Sequence, residues 1–266
     1  MADFAALPAG RVNMMLAQGA LVAGRNLRRT VRTPEIVASA LLIPLLLYLV
    51  FLAAFAKTVP PGEGYSAYAA FALPGVIAFA LGFTVPHAAV AIQRDLHDGY
   101  LDRLRSLPIS RSAALAGRVG ADALTTGVQV LLLTAVGLAF GAGFHGGVLE
   151  AIAYLLVPMG IATMFCWLMI PLALRAKSPE GVAGLLNLVI IPLGYISGGM
   201  VPVTALPSWI QPIAWVNPLT SMVDVMRSSF TGTLDLATLW PGLAWIVGGT
   251  AVAVPLAVRA YRRLGG

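Results

Sequence analysis

The sequence predicts an all-α membrane protein with six transmembrane helices, and three observations support this. Of 266 residues, 59% are hydrophobic and 11% charged, whereas soluble domains carry about 25% charged residues. The apolar residues gather in uncharged runs long enough for one helix to cross the membrane, which takes about 20 residues. These runs lack the alternation of barrel strands. We therefore predict one membrane domain over residues 1–266, with spans near 36–56, 67–92, 112–144, 151–174, 182–203 and 236–258.

The segment before the first span, residues 11–29, has the pattern of an amphipathic helix. At 100° per residue, apolar residues fall on one face and basic residues on the opposite face. Residues 1–10 are too short and too weakly apolar for a cleavable signal, so we expect a retained segment. We predict a helix along the cytoplasmic membrane interface, with an ordinary basic flank as the alternative. The residues assigned to this interface helix are Arg11, Arg25, Arg28 and Arg29.

Basic residues are unevenly divided between the two sides of the predicted bundle. Fifteen of the seventeen Lys and Arg residues fall near the N-terminus, after spans two and four, and at the C-terminus. Only Lys57 and Arg227 fall on the other side. Because cytoplasmic loops are enriched in Lys and Arg, we expect a multi-pass protein of the inner (plasma) membrane with both termini in the cytoplasm. The arginines flank spans and form no single basic face, which argues against a nucleic-acid partner.

The longest polar stretch, residues 93–118, lies between spans two and three. Its first half predicts a short cytoplasmic helix that ends at Pro108. An apolar stripe of this helix consists of Tyr100, Leu101, Leu104 and Leu107, and another face of Asp98, Asp102 and Arg105. A charged helix with an apolar ridge is suited to docking in a partner's groove. From composition alone, a solvated loop resting on lipid head groups fits equally well.

Residues 201–232, between spans five and six, are too rich in proline to form a single spanning helix. Trp209 and Trp215 are placed as interfacial aromatics. Asn217 followed by Pro218 is a good N-cap and first-turn pair, so a second short helix is expected to begin there. We predict two short helices that enter the outer leaflet.

The chain lacks the signature of a nucleotide site. A G-x-x-x-x-G-K-[ST] loop needs a Gly-Lys pair, and both lysines, Lys57 and Lys177, follow alanine. The three histidines show no metalloprotease spacing, so we predict no catalytic residue, no metal site and no cofactor in this chain. Cys166 is the single cysteine, which excludes an internal disulfide.

Few ionisable groups fall inside the predicted spans. Such groups are functional by default in a membrane. His87, Arg118 and Asp122 are close enough to the cytoplasmic interface for a structural role, and both interpretations stay open. Arg118 and Asp122 have the spacing of an i,i+4 pair, and Asn187 is a candidate for a hydrogen bond between helices. The predicted spans contain no chain of carboxylates, which argues against a proton relay.

Two stretches resemble the ABC-2 family of exporter membrane subunits. Residues 94–119 read RDLHDGYLDRLRSLPISRSAALAGRV, similar to the family's Leu-x-Arg-Leu-Arg and Pro-x-Ser-Arg pattern. Residues 197–232 read SGGMVPVTALPSWIQPIAWVNPLTSMVDVMRSSFTG, which resembles its Leu-Pro-x-Trp, Gln-Pro, Asn-Pro-Leu-Thr and Asp-x-x-Arg series. The resemblance covers nearly the whole chain and is greatest to the daunorubicin/doxorubicin-resistance exporter permeases. Lipo-oligosaccharide and polysaccharide exporter permeases share much of the pattern.

The resemblance implies an interface helix at 11–29, a coupling helix seated on an ATPase, and re-entrant helices in the outer leaflet. Gly99 departs from the coupling-helix pattern and weakens its helicity by up to about 1 kcal/mol. The implied coupling residues are Asp95, Asp98, Tyr100, Leu101, Arg103, Leu104, Arg105 and Leu107, and the implied re-entrant residues are Trp209, Trp215, Asn217, Pro218, Asp224 and Arg227.

The resulting expectation is the membrane-spanning subunit of an ATP-driven ABC exporter. Its substrate would be a hydrophobic or amphiphilic compound, such as a drug, polyketide or lipid. Two membrane subunits, identical or homologous, would face each other above two copies of a separate ATPase that binds ATP and Mg. A permease for glycolipid, lipo-oligosaccharide or polysaccharide is the alternative. A non-transporting scaffold or channel and a membrane-embedded enzyme are further alternatives.

Overall fold

The computed structural model of the protein describes residues 34–55, 64–97, 111–176 and 178–263. Within these ranges every regular element is helical and none is a strand, which confirms the predicted all-α class. The predicted interface helix at 11–29 and the coupling-helix residues 98–107 lie outside the described ranges.

The described residues form helices in the following order along the chain. The first five are α1 (Pro34–Phe55), α2 (Gly64–His97), α3 (Arg111–Ala139), α4 (Val148–Arg175) and α5 (Pro179–Tyr195). A 3-10 turn at Val203–Ala205 follows, and then α6 (Gln211–Val216), α7 (Pro218–Thr231), α8 (Leu236–Ala244), a π-helical turn at Trp245–Gly249, and α9 (Thr250–Arg263).

Four of these segments are long and apolar enough to cross a membrane. They are Ser66–Arg94, Gly117–Ala139, Val148–Arg175 and Leu236–Tyr261, which correspond to predicted spans two, three, four and six. The first predicted span contributes the shorter apolar helix Leu42–Ala54 among the described residues. The count of six spans therefore stays a prediction.

The fifth predicted span is shorter than expected. It was to reach residue 203, but α5 ends at Tyr195. Gly198 adopts a φ of +75°, and the Ser197 hydroxyl donates a hydrogen bond to the Gly194 carbonyl at 2.7 Å. These features turn the chain away from the helix axis. The 17 residues of α5 give about 25 Å of helix, less than the roughly 30 Å of hydrocarbon.

Helix α2 is the centre of the bundle. Of its span, 78% is buried, against 17% of the last span, and α1, α3, α4, α5 and α7 all pack on it. Gly141, after α3, lies beside Ser66 near the start of α2. Gln93, near the end of α2, donates to the Ala176 carbonyl just after α4. We call these two ends of the bundle the Ser66 end and the Arg175 end.

The last helical segment runs parallel to α4. Gly160 of α4 lies against Ile246, and further along both helices Met164 lies against Gly249. Their C-terminal ends are therefore both at the Arg175 end of the bundle, and α7 and the start of α8 are at the Ser66 end.

Candidate functional site

Helix α7 carries the candidate site, and its ends are set by local sequence. It begins at Pro218 because the Asn217 Oδ1 accepts a hydrogen bond from the Leu219 N–H at 3.0 Å. It ends at Thr231, and the next residue, Gly232, closes the last turn with a φ of +72°. The predicted N-cap and short helix are confirmed; the position of this helix in the outer leaflet stays a prediction.

Asn217 also joins α7 to α5. Its Nδ2 donates to the Leu193 carbonyl at 2.7 Å, and the residue is only 2% exposed. Leu193 lies in the last turn of α5, where carbonyl groups lack an amide partner in their own helix. One side-chain amide therefore caps the start of α7 and the end of α5.

Arg227 ties the middle of α7 to α2 and to the turn after α5. Its Nη2 donates to the carbonyl groups of Phe71, Gly198 and Gly199, at 3.3, 3.1 and 3.4 Å. Its Cζ lies 4.2 Å from the centroid of the Phe71 ring, a cation–π contact typically worth about 0.5–2 kcal/mol. The buried Nε has no hydrogen-bond partner among the described residues.

Asp224 lies one turn before Arg227 on the same helix. No nitrogen of the Arg227 guanidinium lies within 4.0 Å of an Asp224 carboxylate oxygen, so these two described side chains do not form an ion pair. Burial raises the pKa of the Asp224 carboxyl, and the nearby guanidinium partly opposes this. Burial also lowers the pKa of Arg227, which Asp224 partly opposes. The carbonyl partners of Arg227 bear no net charge, so its positive charge is not neutralised by direct contact.

Two clefts share Arg227 as a lining residue. The first has a volume of about 590 Å³ and is lined by residues of α2, the α3–α4 loop and α7, including Ala67, Ala70, Phe71, His145 and Phe230. The second has a volume of about 550 Å³ and is lined by Trp215, Asp224 and the hydroxyl side chains of Thr220, Ser221, Ser228, Thr231, Thr233 and Thr238. Thr231 lines both.

The α3–α4 loop forms one wall of the first cleft and is held against α7. The His145 N–H donates to the Phe230 carbonyl at 2.9 Å. A Cβ on Gly146 would overlap the Ser229 carbonyl, and one on Gly232 would lie 2.8 Å from the His145 carbonyl. The rings of Phe144 and Phe230 meet edge to face, 5.2 Å apart. These close contacts fix the loop beside the guanidinium of Arg227.

The structure brings three of the predicted re-entrant residues together, since Trp215, Asp224 and Arg227 all line the second cleft. Trp209 and Trp215 are 72% and 58% exposed, and their contact with lipid stays a prediction. Of the predicted coupling residues, Asp95 lies within the last turn of α2.

Among the polar groups inside the predicted spans, Arg118 contacts another helix, because its Nη2 donates to the Ala88 carbonyl of α2 at 3.4 Å. The predicted pair of Arg118 and Asp122 is confirmed, with Nε and Oδ2 3.4 Å apart. The His87 Nδ1 lies 2.6 Å from the Phe83 carbonyl of its own helix. The Asn187 Oδ1 is buried without a hydrogen-bond partner among the described residues, so the predicted bond between helices is not found there.

Sequence reasoning did not find the first cleft. Phe71, His145 and Thr231 come from three separate segments, and no spacing pattern connects them. One available signal was Arg227 itself, the only basic residue between positions 178 and 258.

Comparison with known proteins identifies the family. The protein-family model for the ABC-2 type transporter matches residues 17–231. These residues include the described helices from α1 to α7. The chain belongs to the ABC-2 type transporter family. With four helices long enough to cross a membrane, it is an integral membrane protein.

The relatives are named as permeases of ABC transporters. The chain is 30% identical over 221 residues to the daunorubicin resistance ABC transporter permease protein DrrB1 of Streptomyces coeruleorubidus, covering 83% of this chain and 77% of that protein. It is 30% identical over 255 residues to the probable doxorubicin resistance ABC transporter permease protein DrrC of Mycobacterium tuberculosis, covering 94% and 90%. The probable multidrug ABC transporter permease YbhR of Escherichia coli is 23% identical over 199 residues, which are 74% of this chain and 53% of that protein. These matches confirm the resemblance seen in the sequence.

Proposed function

We propose that this chain is the membrane-spanning subunit of an ATP-driven exporter that moves a hydrophobic or amphiphilic compound out of the cytoplasm or the inner leaflet. The observation that carries the proposal is the ABC-2 match over residues 17–231, together with relatives named as daunorubicin and doxorubicin resistance permeases. A separate ATPase would bind ATP and Mg, because the sequence has no Gly-Lys pair for a phosphate loop.

The architecture supports coupling through α2. This helix is continuous from Gly64 to His97, so the predicted coupling segment, 95–107, begins in its last turn. Because five other helices pack on α2, a push by the ATPase at this end would be passed to the bundle as a rigid-body tilt. Two ATPase copies would act on this chain and a second membrane subunit, identical or homologous.

A second candidate is a permease for a cell-envelope glycolipid, lipo-oligosaccharide or polysaccharide. The second cleft favours it, because six hydroxyl side chains surround Asp224, Arg227 and the exposed Trp215 ring. Hydroxyl and charged groups beside an aromatic face suit a sugar head group, which offers many hydrogen-bonding hydroxyls and an apolar ring face.

Co-expression with a candidate ABC ATPase subunit tests the proposal. We expect the two chains to co-purify and, in proteoliposomes, to move a fluorescent amphiphile only when ATP is present and the ATPase is hydrolysis-competent. The chain alone should show no ATPase activity above a detergent blank. Robust turnover by the chain alone, or equal transport with a hydrolysis-defective ATPase, would reject the assignment. Comparing a glycolipid with an uncharged aromatic drug as substrate separates the two candidates.

A further inference from the structure

Among the described residues, the lining of the first cleft includes a positive charge and no carboxylate. Of the described residues that line it, Arg227 alone carries a permanent charge. Asp224 lines the second cleft but not the first. A guanidinium has five N–H donors, and the described residues provide acceptors only to Nη2. Burying a charge without a counter-charge is unfavourable, so an anion in this cleft would stabilise the site.

The rest of the lining indicates what kind of anion fits. Ala67, Ala70, Phe71 and Phe230 give the cleft apolar walls beside the guanidinium. Its volume of about 590 Å³ lies in the range of sites for small organic molecules, roughly 300–1,000 Å³. A small hydrated ion would leave these walls without contacts, whereas an anionic group attached to an apolar body would use both features.

We propose that the first cleft binds the anionic head group, a phosphate or a carboxylate, of an amphiphile in the adjoining membrane leaflet, with Arg227 as its charged ligand. The proposal requires that the chain is embedded in a membrane, as in the proposed function, but it does not require transport or an ATPase. The amphiphile is either a resident phospholipid or the exported compound, and both provide the same chemistry to Arg227.

Two thiol positions together separate occupancy of the first cleft from occupancy of the second. Thr231 is exposed and lines both clefts, so Thr231→Cys in a Cys166→Ala background would be alkylated by a maleimide at a rate that an occupant of either cleft slows. Ala237 is also exposed but lines only the second cleft, and Ala237→Cys is the matched control. The assay uses the purified full-length chain in a neutral detergent.

Phosphatidylglycerol and an alkyl carboxylate should each slow alkylation at Thr231→Cys, whereas phosphatidylcholine and inorganic phosphate at equal concentration should not. Adding Arg227→Gln should raise the concentration needed for half-protection about tenfold or more, as expected for a charge-assisted hydrogen bond. Arg227→Lys should retain part of the protection. Arg259→Gln, an equal loss of charge at the Arg175 end, should leave it unchanged.

Arg227 also holds α7 to α2, so its variants need a counterpart that leaves the arginine in place. Ala67→Glu would supply a carboxylate inside the cleft and should remove protection by phosphatidylglycerol, while Ala67→Gln, similar in size but uncharged, should keep it. Equal protection by phosphatidylcholine, full protection by inorganic phosphate alone, or unchanged protection in Ala67→Glu would overturn the proposal. A comparison of phosphatidylglycerol with the exported compound in the same assay identifies the source of the anion.

Discussion

Gly75 of α2 and Gly199 of the turn after α5 meet backbone to backbone. A Cβ on either residue would overlap the main chain of the other. The two segments approach this closely only because neither residue has a side chain. Arg227 of α7 donates to the Gly198 and Gly199 carbonyls of this turn. The contact between Gly75 and Gly199 therefore positions the carbonyl groups that bind the guanidinium.

Gly75→Ala should therefore destabilise the protein by about 1–3 kcal/mol, as overpacking does in a tight core. Gly184→Ala is the control, because a Cβ there meets no atom within 4 Å and alanine favours a helix. Size-exclusion chromatography after heating in detergent would give the midpoint of loss of monodisperse protein. If Gly75→Ala and Gly184→Ala have the same midpoint, the close contact is not important for stability.

Asn217 offers a test of two helix ends at once. Asn217→Ala should lose both the bond to the Leu219 N–H and the bond to the Leu193 carbonyl, about 1 kcal/mol for each. Asn217→Ser keeps an N-cap oxygen, but its side chain is too short to donate to the Leu193 carbonyl. It should therefore lose only about half as much stability. The same heating assay measures both. Wild-type stability in Asn217→Ala would show that the amide does not join α5 to α7.

Local signals in the sequence predicted several of the helices but neither the end of α5 nor the site. Asn217 followed by Pro218 marked the start of α7, because capping depends on adjacent residues alone. The end of α5 at Tyr195 was not predicted, because residues 196–203 carry no charge and only the turn at Gly198 interrupts the span. The partner of Arg227 was not predicted either. Phe71 is 156 residues away along the chain, and no periodicity encodes a contact between α2 and α7.

Membrane orientation follows from the uneven division of Lys and Arg and can be tested with single cysteines. In a Cys166→Ala background, Ser106→Cys and Ser208→Cys should be labelled differently by an impermeant maleimide applied to intact cells. Ser208 is exposed in the turn before α6, and we expect labelling only there, with Ser106→Cys labelled after the cells are opened. Labelling of Ser106→Cys in intact cells would reverse the predicted topology.

The coupling segment gives the last prediction, which concerns residues outside the described ranges. If residues 98–107 stand off the membrane, the ridge of Tyr100, Leu101, Leu104 and Leu107 has no lipid to face, and its burial requires the ATPase. A fully buried Leu or Tyr contributes roughly 1.5–3 kcal/mol, whereas a charge at the rim of an interface contributes about 1 kcal/mol or less. The apolar ridge should therefore dominate binding. Leu104→Asp should release the ATPase while leaving membrane insertion intact, and Arg105→Ala should have a weaker effect.

Co-purification of the two chains measures this difference, with Leu104→Met as the control that keeps an apolar side chain. Retention of the ATPase by Leu104→Asp together with its loss in Arg105→Ala would show that this helix binds its partner chiefly by charge.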